Sequence, residues 1–169
     1  MTGGLHAFHY DFTECSGSES ADPATTFPDT LHWHTANLTV GAMRNWAKTV
    51  ITWNLALDPS GGPHNGGCGT CFGVVTIDPA TGRATPTADY YVLGHAAKFV
   101  RPGAVRIGSS TGVGTVQDVA FLNPDGSTVV IAVNDNWDSS TPAQAFNVTL
   151  GGRTFSSSLP PGAVATFVL

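Results

Sequence analysis

The chain has 169 residues, enough for one ordinary domain or for a small domain with part of another. A complete (β/α)8 barrel takes about 250 residues and is excluded. Hydrophobic residues at 41 % exclude disorder throughout, and a net charge of −5 counts against general nucleic-acid binding.

In chain order, Tyr10 to Thr13 reads as a short strand running into Glu14-Cys15-Ser16-Gly17. A polar Ser, Asp and Pro stretch to about Thr30 reads as a loop. Ala36, Val40, Met43, Trp46, Ala47 and Val50 fall on one helical stripe, which predicts a helix over 36–50. Arg44 and Lys48 stand near its end, where positive charge suits the macrodipole. Val50 to Leu57 is an apolar run with β-branched residues, predicting a buried parallel strand that stops at Asp58-Pro59. Strand, helix, strand is a βαβ unit.

A Gly-rich loop from Ser60 to Gly73 follows, then a strand over 72–78 and a turn at Pro79 to Gly82. Thr87 is an N-cap candidate for a second helix ending at Pro102-Gly103. Beyond it, six strand-like segments are separated by turn residues: 105–109, 116–122, 128–133, 146–150, 154–158 and 164–169. Asn123-Pro124-Asp125-Gly126-Ser127 marks a hairpin between two of them. The tail therefore reads as an antiparallel sandwich. The expected division is 1–101 and 102–169.

No run of 18 apolar residues predicts a transmembrane helix, and the first residues lack the basic and apolar regions of a signal peptide. The low charge with much Gly, Ser and Thr suits a secreted protein. Cys68-Gly-Thr-Cys71 is a lone CxxC, open to reading as a loop disulfide, two free thiols or a metal or redox pair.

Candidate chemistry concentrates at strand ends. Glu14 stands at the C-terminal end of a strand, where barrel enzymes place their chemistry, and suits a nucleophile or a general acid/base. A carboxylate capping a turn fits the same position. Glu19 reads as a solvated loop carboxylate. Trp53 and Asn54 sit near another strand end, as an apolar wall with a hydrogen-bond donor for a sugar, or as core. His32-Trp33-His34 precedes the first predicted helix and fits a cleft lining; as a metal site it lacks a third ligand. His95 reads as packed on its helix.

Three segments carry a resemblance. Phe12-Thr13-Glu14-Cys15-Ser16-Gly17 resembles the nucleophile segment of glycoside hydrolase family 30, the family of glucosylceramidases and endo-β-1,6-glucanases. Thr52 to Pro63 resembles its eighth barrel strand and the loop after it. Asp89 to Gly103 resembles its last barrel helix and the exit to its β-sandwich. The likeness runs from about Leu5 to Leu169, in family order. It implies α/β plus all-β architecture: the last two βα units or so of a (β/α)8 barrel followed by an antiparallel β-sandwich, both incomplete. It implies a retaining β-glycosidase acting on a β-glucoside or β-glucan, secreted as the full-length protein, with no metal and no organic cofactor. Glu14 resembles the nucleophile, Trp53 a wall of the sugar subsite, and Asn65 a sugar contact at the rim. The family's acid/base glutamate lies on an earlier strand and has no match here, so a C-terminal fragment inactive without the N-terminal barrel portion is expected. A carbohydrate-binding module built on the sandwich, with Trp137 exposed, is the alternative, and a redox protein using Cys68 and Cys71 a third.

Overall fold

The computed structural model describes residues 10–14, 23–110 and 113–169. Strand β1 (Tyr10–Glu14) lies parallel to β2 (Ala47–Thr52), joined by helix α1 (Pro23–His34) and a π-helical continuation, Thr35–Ala42. This is the expected strand, helix, strand order, with a shifted helix. The helix begins at Pro23, inside the stretch read as loop, and has ended by Trp46, whose φ of 72° is left-handed. Residues 47–52, assigned by the stripe mostly to helix, are strand instead. Thr49, Val50, Ile51 and Thr52 are all β-branched, and that local preference prevails over the helical spacing.

The π turns have a visible cause in side chains. A π-helix closes i to i+5 bonds, which displaces the usual i−4 partner. Thr35 Oγ1 donates to the Leu31 carbonyl at 2.7 Å, and Asn37 Nδ2 to the Trp33 carbonyl at 2.8 Å. These side chains take up i−4 carbonyls in the way Thr and Asn compete with helix backbone.

The strand expected over 50–57 is broken. The chain bends at Trp53 to Leu55, with Asn54 at φ 64°, and resumes as β3 (Ala56–Leu57). Strand β4 (Val75–Ile77) pairs parallel with β3 and antiparallel with β5 (Ala84–Pro86), a strand the sequence reading omitted. Helix α2 (Ala88–Ala97) follows Thr87 and is shorter than predicted.

The tail builds a four-stranded antiparallel sheet from β6 (Val105–Ile107), β7 (Val116–Leu122), β8 (Thr128–Asn134) and β11 (Val164–Val168), in order β11-β8-β7-β6. A separate hairpin, β9 (Gln144–Leu150) with β10 (Arg153–Leu159), packs on one face. All seven residues of β8 are buried, because its two faces meet different partners. Val129, Ile131 and Val133 join Ala36, Val40, Val119 and Phe121, with Phe99 and Val100 packed against them. Ala132 on the opposite face joins Val116, Phe146 and Leu159. The sheet is thus the middle layer of three, and one of its cores includes residues from both sides of position 101.

Polar contacts tie the same layers. Arg44 donates to the Asp118 carbonyl at 2.7 Å and to Ser109 and Ser110 at 3.0 Å each. Buried Asn123 accepts from the Arg101 N–H at 2.9 Å and donates to the Phe99 carbonyl at 3.0 Å, stitching the end of α2 to the β7–β8 turn.

Candidate active site

The register of β1 and β2 aligns Glu14 with Thr52. Trp53 is the residue that follows β2, so the two strands end side by side with Glu14 at one tip and Trp53 just past the other. Parallel strands flanked by helices offer this end for chemistry, since the connecting loops gather there. Trp53 is 52 % exposed, a large aromatic surface left open at the strand end. It was open to reading as core, and it is not buried.

Asn54 bends the chain away from β2, and its left-handed φ is one that Asn tolerates better than most residues. Its carbonyl accepts the Val74 N–H at 3.1 Å and the Leu55 carbonyl accepts Val75 N–H at 3.0 Å, so β4 returns beside the bend. The Asn54 Nδ2 is buried and makes no hydrogen bond among the described residues. A buried, unpaired amide donor is costly, which marks this atom as suited to an added acceptor.

The loop between β3 and β4 is held from within. Asp58 Oδ1 accepts the Ser60 and Gly62 N–H groups at 2.7 and 3.0 Å, an Asx-type turn. Gly73 lies so close to β3 that a Cβ there would stand 2.8 Å from the Leu57 nitrogen, which requires glycine. Cys68 and Cys71 are joined as a disulfide within the loop. Asn65 is exposed on a turn with φ 37°, closed by Gly67 N–H to the His64 carbonyl at 2.6 Å. Among the described residues no hydrogen bond or ring contact joins Asn65 to Trp53.

His32-Trp33-His34 lies on α1 rather than in a loop. His34 Nδ1 stands 2.6 Å from Asp89 Oδ1, both buried, which docks α1 on the first turn of α2. His32 turns to the sandwich, its ring edge-on to Trp137 at 4.0 Å and its Nδ1 3.4 Å from Asp135. Only Trp33 points to solvent, 38 % exposed. The triplet divides its members between two packing partners and does not line one cleft. Among the described residues no group of three His, Cys, Asp or Glu stands together to hold a metal ion. The sequence reading missed the His34 to Asp89 pair; an acid in the first turn of α2 was the available signal, explained equally by the helix dipole. Cys15 and Glu19 lie outside the described residues.

Residues 103–167 match the family model of the glycosyl hydrolase family 30 beta sandwich domain. The chain is 37 % identical over 148 residues to an endo-1,6-beta-D-glucanase of Aspergillus fumigatus, covering 81 % of this chain and 29 % of that protein. It is 38 % identical over 150 residues to an endo-1,6-beta-D-glucanase of Trichoderma harzianum, covering 84 % and 30 %. Among solved structures, the endo-beta1,6-glucanase BT3312 superposes with a TM-score of 0.71 at 32 % identity, over 82 % of this chain and 30 % of that one. The chain spans about 30 % of the length of the curated relatives it matches.

Proposed function

We propose that this chain, which belongs to glycoside hydrolase family 30, forms the nucleophile-bearing part of a secreted retaining β-glycosidase that cleaves β-1,6-glucan. The observation that carries the reading is the pairing of β1 with β2, which sets Glu14 and exposed Trp53 at adjoining C-terminal strand tips. The similarity to endo-1,6-beta-D-glucanases supports the choice of β-1,6-glucan as substrate class.

In this reading the Glu14 carboxylate attacks the anomeric carbon, and the bond to the leaving oxygen breaks as a second carboxylic acid protonates that oxygen. The glycosyl ester on Glu14 is then opened by water, which gives its proton back to the second carboxylate. The two carboxyl groups of such a pair stand about 5–5.5 Å apart. The proton donor is assigned to a glutamate beyond these 169 residues, on a further part of the barrel. Trp53 provides the flat apolar wall for a sugar face. Asn65 contributes at the rim, and the Cys68–Cys71 disulfide limits the shapes its loop can take.

Exposed Ile51 within β2 and Leu55 after it, with exposed Trp46 just before β2 and Val105 at the start of β6, present apolar surface of the kind a further barrel portion covers. Trp46 and Val105 line a groove of about 680 Å³ together with Val50, Leu93 and Phe121.

The test is turnover of β-1,6-glucan by the purified chain and by its Glu14→Gln variant. No turnover above background is expected, because loss of an acid/base group alone costs about 10²–10⁴-fold. Turnover lost in Glu14→Gln would keep the nucleophile and overturn the need for an outside glutamate. Turnover that survives Glu14→Gln would remove Glu14 from the mechanism.

A further inference from the structure

A second cleft lies away from the strand tips, between the first turns of α1 and the β4–β5 pair, with a volume of about 210 Å³. Two aromatic rings, Phe27 from α1 and Phe72 from the loop before β4, form part of its lining. Phe27 is 39 % exposed and rests edge-on against Tyr91 at 5.7 Å. Thr30, Thr76 and Thr85 contribute hydroxyls that make no hydrogen bond among the described residues. Among the described residues the single ionisable group in the lining is Asp89, buried, with Oδ1 engaged by His34 at 2.6 Å. Among the described residues the cleft therefore combines aromatic surface and open hydroxyls, its one ionisable group already engaged. That chemistry matches a neutral polyol ring, whose C–H face packs on an aromatic ring while its hydroxyls exchange hydrogen bonds with threonines. A hydrocarbon chain would leave the three hydroxyls unpaired.

Position adds a second argument. A helix that follows a parallel strand returns alongside it, so α1 starts at the end of the sheet where Glu14 stands. Hydrogen bonds run from the candidate site to the cleft floor. The Asn54 carbonyl accepts Val74 N–H at 3.1 Å, and the Val74 carbonyl accepts the Thr87 hydroxyl at 2.9 Å. The cleft is therefore linked to the bend after β2 through Val74 and Thr87.

We propose that the cleft walled by Phe27 and Phe72 is a secondary carbohydrate site, holding one hexose of a neutral β-glucan outside the Trp53 site. The identity of the sugar rests on the β-glucan reading above. A polymeric substrate held at a second point stays near the enzyme between cleavage events, which raises its effective concentration at the first.

The experiment is a titration of the full chain, labelled with ¹⁵N, with a β-1,6-linked gluco-oligosaccharide. Amide signals of Phe27, Thr30, Thr76 and Thr85 should shift and saturate in the millimolar range, near 1 mM. Phe27→Ala should weaken this binding about tenfold. Thr85→Val, on an exposed strand position, tests the hydroxyl with the side-chain shape kept. Trp53→Ala should leave the cleft shifts unchanged. Shifts near Trp53 with none in the cleft would overturn the secondary site and leave the catalytic reading standing. Cleft shifts with none near Trp53 would support the secondary site and count against the sugar wall. Cleft shifts produced by hexanol and not by the sugar would overturn the proposal in favour of an apolar ligand.

Discussion

His95 joins α2 to β11 through a 2.8 Å hydrogen bond between its Nδ1 and Thr166 Oγ1. Burial holds its imidazole below the ordinary value of 6.5, because the packed site solvates the cation poorly. In the unfolded chain the ring takes up a proton near pH 6.5, while in the folded chain it does so only at lower pH. Between those two values the unfolded state binds more protons, so stability rises with pH there and falls on acidification. The chain should therefore lose urea resistance as pH drops from 7 to 5, and His95→Gln should reduce that slope while its amide retains a bond to Thr166. An unchanged slope in His95→Gln would assign the acid sensitivity to other groups. Asn54 shows a residue-scale tension of another kind, since its strained φ and its unpaired buried Nδ2 occur together at the end of β2. Strain of this sort persists where the surroundings hold it, and here β4 does so through the Val74 and Val75 amides.

At the scale of elements, β8 is the most constrained strand. A strand buried on both faces has no polar alternation, and Thr128-Val129-Val130-Ile131-Ala132-Val133 has the continuous apolar character such a position requires. Ile131 is fully buried among Val119, Phe121 and Val40. Ile131→Ala should lower unfolding free energy by about 2–5 kcal/mol, read as a shift in urea midpoint with unchanged slope. Leu122→Ala on the exposed end of β7 should stay within about 0.5 kcal/mol. A small effect at Ile131 would mean that the helical layer does not close on the sheet. Element identity in this tail was legible because turn chemistry is local: Asn123 to Ser127 closes β7 on β8 through Asp125 and the Asn123 side chain itself. The first half was less legible. Periodicity placed Ala36, Val40 and Met43 correctly on a packed helical face, and the same arithmetic wrongly carried the helix through Trp46 to Val50. Spacing does not report a chain reversal at a left-handed residue. The site followed the same division: Glu14 and Trp53 were visible as strand ends, whereas the docking of His34 on Asp89 joins residues 55 apart and depends on tertiary packing.

Across the whole molecule, the sheet of the tail cannot be separated from the helices before it without exposing a core. Its inner residues on one face, Val119, Phe121, Val129, Ile131 and Val133, are covered by Ala36, Val40, Met43, Ala96 and Phe99. The β9–β10 hairpin covers only the other face. A segment comprising 102–169 alone would therefore present Phe121 and four β-branched residues to water as one contiguous patch, larger than soluble domains ordinarily tolerate. It would also lose the Arg44 bonds to Ser109 and Asp118, and the His32 contact with Trp137. The division at 101 is thus a division of sequence pattern whose two sides share packing. The full chain should unfold in one transition in calorimetry, with the 102–169 segment aggregating or binding a hydrophobic dye at the same temperature. A soluble 102–169 segment with a cooperative transition of its own would show that the helices add little to the sheet. If that segment also bound β-glucan, the sandwich would be a carbohydrate-binding module in its own right, because the sugar would then be held without Glu14 or Trp53.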